Sequence, residues 1–146
     1  MINVKQKGNR FERECAKTLQ RLSLLKWNRV PQSGGIGTSN KGISNPVFLG
    51  DVFTEGKPWN TTVVECKHTK VKIDLFNFFN SKSILSKWLT QTITEAKGNP
   101  YMLMFKDGTH KMYAIVSPHN TLFKETEAIF FKFKGIDFKL LKVKKE

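Results

Sequence analysis

The chain has 146 residues, enough to bury one core and the length expected of a single domain. Hydrophobic residues make up 39% of it and aromatics 12%, which excludes a disordered chain. Twenty-five lysines and arginines face 12 acidic residues, a net charge of +13, which excludes an ordinary enzyme of small metabolites and points to a polyanionic partner, most often nucleic acid.

No apolar run approaches the roughly 20 residues that span a bilayer, and the N-terminus lacks a signal-peptide core. Cys15 and Cys66 show no zinc-type spacing and read as reduced core residues. The expectation is a protein of the cytoplasm or nucleoid, with no membrane partner.

In chain order, the spacing predicts a helix over Lys7 to Leu25. Phe11, Cys15, Leu19 and Leu22 form its apolar stripe, and Arg10, Arg13, Lys17 and Arg21 lie off it. Glu12 adjoins the stripe and can reach toward the sheet on which the stripe packs. Glu14 better fits a surface ion pair with nearby arginines. Trp27 to Pro31 reads as a short strand, and Gln32 to Pro46 as a glycine- and serine-rich loop without phosphate-loop spacing. In that loop Ser33 and Lys41 can touch a nucleic-acid backbone; the alternative is a flexible surface loop.

Two runs then form an antiparallel hairpin. Leu49 to Phe53 carries Asp51, Gly56-Lys57-Pro58 turns the chain, and Thr61 to Lys67 ends in Glu65-Cys66-Lys67. Side chains on a strand alternate, so Val63, Glu65 and Lys67 share a face and Val64 and Cys66 take the other. Asp51 and Glu65, with a main-chain carbonyl, suit a hard divalent cation such as Mg²⁺. Lys67 beside it can orient a water or offset charge on a phosphate. The competing reading is a surface salt bridge between Glu65 and Lys67. Charges at the end of an apolar strand nevertheless need partners.

Val71 to Asn80 is aromatic, with Phe76, Phe78 and Phe79, and is expected to pack under the sheet, the alternative being base stacking. Ser81 to Lys97 is the second helix, with Ile84, Trp88 and Gln91 or Leu85, Leu89 and Ile93 as its inner stripe, stopped by Gly98-Asn99-Pro100. Gln91 is a candidate hydrogen-bond donor near the cation. Strands follow over Tyr101 to Phe105, Met112 to Val116, Ile129 to Phe133 and Phe138 to Val143. The last pair carries Lys132, Lys134, Lys139, Lys142 and Lys144 and reads either as a basic ribbon lying along phosphates or as a solvated edge.

The order helix, strand, Asp strand, Glu-x-Lys strand, helix, strand resembles the PD-(D/E)xK nuclease superfamily. The segment Lys7-Gly8-Asn9-Arg10-Phe11-Glu12-Arg13-Glu14, the loop Gln32-Ser33-Gly34-Gly35, Gly50-Asp51-Val52 and Val64-Glu65-Cys66-Lys67 are similar to archaeal-type Holliday junction resolvases. A small phage-type nuclease has the same core. Leu49-Gly50 stands where that pattern has proline before the aspartate. The resemblance covers about residues 7 to 105.

It implies an α/β restriction-endonuclease-like core over about 7 to 117: a central mixed five-stranded sheet flanked by helices. A basic C-terminal β-ribbon over 118 to 146 completes a single domain. It implies Glu12, Asp51, Glu65 and Lys67 as the catalytic set. Asp51, Glu65 and the Cys66 carbonyl would hold Mg²⁺ or Mn²⁺, and Glu12 a second ion or its water. Ser33 would help at the site. Arg10, Arg13, Lys41, Lys70 and the C-terminal lysines would hold phosphates. The implied activity is cleavage of Holliday junctions or branched DNA by a homodimer. The competing expectations are the same core cutting duplex DNA, or a catalytically silent nucleic-acid-binding module.

Overall fold

The computed structural model describes residues 4–31, 49–74, 83–123 and 128–143, with side chains from residue 9 onward. Helix α1 (Val4–Ser23) forms because Phe11, Cys15 and Leu19 recur on one face, and all three are buried. Ser23 closes it: its hydroxyl donates to the Leu19 carbonyl at 2.7 Å and accepts the Trp27 indole N–H at 2.8 Å.

Two short strands follow, β1 (Asn28–Arg29) and β2 (Val52–Phe53), then β3 (Val63–His68). Helix α2 (Ile84–Ala96) leads to β4 (Tyr101–Lys106), β5 (Met112–Val116), β6 (Ile129–Phe133) and β7 (Ile136–Val143). The Ser83 hydroxyl caps α2 by accepting the Ser86 N–H at 3.1 Å. Lys97 and Gly98, with φ of 51° and 85°, end it in left-handed conformation.

The seven strands among the described residues form one mixed sheet in the order β1-β2-β3-β4-β5-β7-β6. Strands β3 and β4 are parallel, from Val63 opposite Tyr101 to His68 opposite Lys106, and α2 is their crossover. The other pairings are antiparallel. One face packs on α1 through Val52, Val64, Met102, Met104 and Leu141; the other packs on α2 through Leu103, Phe105, Ile115 and Leu140. Of the two candidate stripes on α2, the one carrying Leu85 and Leu89 is buried, and Ile84 is exposed. The arrangement is compatible with a restriction-endonuclease-like fold.

The sheet corrects the expectation of five strands plus a separate ribbon. Strand β7 pairs with β5 along five positions and buries Phe138, Leu140, Leu141 and Val143. Its apolar residues therefore extend the same core. Among the described helices none is long and apolar enough to cross a membrane.

Candidate active site

The site begins with a close approach of two backbones. Gly50 has φ of +81°, and a Cβ there would lie 2.6 Å from the Val64 carbonyl oxygen. Only glycine permits that conformation without strain. The next residue, Asp51, donates its N–H to Val64 at 2.7 Å and accepts the Val30 N–H at 2.9 Å. Val52 then pairs with Val64, which sets Asp51 opposite Glu65. The Cys66 N–H donates to Asp51 Oδ2 at 2.7 Å and fixes that carboxylate against β3.

Alternation divides β3 between the two faces. Val64 and Cys66 pack with α1, so Glu65 and Lys67 turn toward α2. Glu65 is only 3% exposed, and its Oε1 has no hydrogen-bond partner. Burial, a hydrogen bond with Glu95 of α2 and the charge on Asp51 push its carboxyl up to about 10. At neutral pH Glu65 thus holds a proton that Asp51 and Glu95 both face. Asp51 is raised by burial, against the opposing pull of the Cys66 N–H and of Glu65. Glu95 is lowered, first by the hydrogen bond from Glu65. Lys67 acts electrostatically on both Asp51 and Glu95.

Three carboxyls and one ammonium therefore meet on the α2 side of the β2–β3 hairpin. Their contacts are pairwise: among the described residues no three His, Cys, Asp or Glu side chains form a ready group for a metal ion. The donor chemistry nevertheless fits a hard divalent cation. All the donors are oxygens, and the buried Glu65 Oε1 lacks a partner. A proton now does what such an ion would do, holding like charges together.

Glu12 stands apart from this group. It is 9% exposed and takes the Arg29 Nε–H at 3.1 Å on the α1 side. It still senses Asp51: burial and then the Asp51 charge raise its carboxyl, against Arg29. Glu14 pairs with Lys106 of β4 at 3.0 Å, where the sequence suggests neighbouring arginines. His68 packs tilted against Phe11, ring centres 5.4 Å apart, on the α1 face.

Arg10, Arg13 and Lys70 are exposed. Gln91 is exposed too, and it reaches the site through Glu95, to which it donates at 2.9 Å. Ser33, Lys41 and Lys144 lie outside the described residues. The C-terminal lysines do not form one basic row. Lys139 is fully buried, its ammonium donating to the Asn120 carbonyl at 2.8 Å, because β7 is an interior strand. Lys132 pairs with Asp137 at 3.3 Å, and Lys134 lies 5.4 Å from the Phe133 ring centre.

Sequence reading misses two residues of this neighbourhood, Glu95 and Arg29. Glu95 had a signal: it lies one helical turn beyond Gln91 and so shares its face. Arg29 had none, being one basic residue in a two-residue strand.

The family described as "Phage putative PDDEXK endonuclease" matches residues 3–146. Protein D14 of Escherichia phage T5 is 27% identical over 119 residues, covering 80% of this chain and 72% of that protein. No solved structure matches. A match along nearly the whole chain settles membership: the protein belongs to the phage PDDEXK family of endonucleases.

Proposed function

We propose that the protein is a Mg²⁺-dependent (or Mn²⁺-dependent) DNA endonuclease that selects four-way or otherwise branched DNA and acts as a homodimer inside the cell. One observation carries the reading: Asp51 faces Glu65 across two paired strands, with Lys67 next on the same side. Asp51, Glu65 and the Cys66 carbonyl would hold the ion, and Glu12 a second ion or its water. Such an ion supplies Lewis acidity to a scissile phosphodiester.

The chain's own groups do the rest. Lys67 orients the attacking water and offsets charge gathering on the phosphoryl oxygens. In-line attack on phosphorus leaves a 3′-hydroxyl and a 5′-phosphate. Arg10, Arg13 and Lys70 hold backbone phosphates without reading sequence, and Ser33 and Lys41 add contacts from their loop. Gln91 steadies Glu95. A homodimer presents two such sites to the two strands of a symmetric junction.

The test incubates wild type and Asp51→Asn with a four-way junction and a linear duplex of the same sequence, with Mg²⁺ or EDTA. Wild type should cut the junction only with Mg²⁺, and Asp51→Asn should lose about a hundredfold or more. Equal cutting by both proteins removes the assignment. Equal cutting of junction and duplex by wild type keeps the nuclease and removes the branch selectivity. Sedimentation of the junction complex as one protein chain removes the dimer.

A further inference from the structure

We infer that Glu95, in the last turn of α2, is a third carboxylate ligand of the divalent cation, an assignment that rests on the nuclease reading above. Four observations converge on it. The first is the division of faces. Glu65 turns toward α2 and reaches both Asp51 and Glu95, whereas Glu12 lies on the α1 side and is taken by Arg29 at 3.1 Å. An ion held by Asp51 and Glu65 therefore meets Glu95 as its next carboxylate on that face.

The second is Glu65 itself. It is only 3% exposed, and its buried Oε1 has no hydrogen-bond partner. A buried acceptor left unsatisfied costs about 1–3 kcal/mol. A cation satisfies Glu65 and its neighbours together, which a single proton cannot.

The third is the position of Glu95 on its helix. It is the penultimate residue of α2, whose last turn contains no basic residue. A carboxylate there faces the negative end of the helix dipole, an unfavourable place on its own. A neighbouring cation reverses the sign of that interaction. The fourth is access with an anchor: Glu95 is exposed, so an ion can reach its carboxylate from solvent, and Gln91 holds one of its oxygens at 2.9 Å.

The experiment titrates the full chain with Mn²⁺ by calorimetry and follows Mn²⁺-induced thermal stabilisation, for wild type, Glu95→Gln and Asp51→Asn. Glu95→Gln should weaken Mn²⁺ binding about tenfold or more. Its metal-free melting temperature should stay at or above that of wild type, since Gln keeps the oxygen that Gln91 bonds. Wild-type affinity in Glu95→Gln with lost affinity in Asp51→Asn overturns the role of Glu95 and leaves the nuclease reading standing. Wild-type affinity in both variants, or no Mn²⁺ binding by wild type, overturns both.

Discussion

A carboxyl that folds with its proton must release it to serve as a ligand, and Glu65 is in that position. Its ordinary value in an unfolded chain is about 4.3, and burial beside Glu95 and Asp51 raises it to about 10. Below the ordinary value both states hold the proton, and the stability is complete. As pH climbs from there toward 10, the unfolded chain releases the proton and the folded chain keeps it, so stability is lost. Glu95 is shifted the other way, and its contribution is lost only as pH falls into the carboxylate range. Metal-free wild type should therefore become less stable from about pH 5 to pH 9. Glu65→Gln should flatten that slope and be more stable at pH 8 by on the order of 1–3 kcal/mol, read by urea unfolding. An unchanged slope would place the loss elsewhere. Lys67 is only half-buried. Lys67→Met should cost about two to three orders of magnitude in cleavage with little change in melting temperature. Unaltered activity in that variant supports a silent binding module instead.

The β2–β3 hairpin converts one glycine into site geometry. Gly50→Ala forces a left-handed φ on a residue with a side chain and drives that side chain against the Val64 carbonyl, 2.6 Å away. The strain should cost about 1–3 kcal/mol and shift Asp51 from Glu65, so stability and Mn²⁺ affinity should fall together. Loss of one without the other would separate Gly50 from the site. Strand β7 makes a second comparison. Lys139→Met removes a buried ammonium from the Asn120 carbonyl and should cost about 1–3 kcal/mol, whereas exposed Lys142→Met should change stability little. These elements also explain what was readable. The stripe Phe11, Cys15, Leu19 gave α1, because burial on one face leaves a period in the sequence, and β3 was legible from its β-branched run ending in Glu-x-Lys, although it is buried on both faces. Strand β7 was legible as a strand too, but that it lies inside the sheet was not, because its buried Lys139 looks like any surface lysine. Glu95 looked like an exposed helical residue because only the fold brings α2 against Glu65.

Seven strands in one sheet place the two basic regions at different distances from the chemistry. Arg10 and Arg13 project from α1 beside Glu12, whereas Lys132 and Lys142 lie on β6 and β7 and Lys134 in the turn between them, toward the sheet edge away from β1. From β3 to β6 the sheet steps through β4, β5 and β7, roughly 19 Å at about 4.8 Å per strand. That distance is about six base pairs at 3.4 Å each, so a duplex arm at the site can also reach the ribbon. The two regions should not contribute equally. Lys132 already pairs with Asp137 at 3.3 Å, and Lys134 donates to Thr90 at 3.2 Å, whereas the α1 arginines face solvent. Junction binding in EDTA, followed by anisotropy across a salt series, measures this, because each neutralised phosphate adds about −0.9 to the slope of log affinity against log salt. Arg10→Gln with Arg13→Gln should flatten the slope by about two, and the combined Lys132, Lys134 and Lys142 substitutions to Gln by about one. A larger loss from the lysines would move the docking surface to the ribbon. A wild-type slope near zero would mean that the net charge of +13 does not serve DNA binding at all.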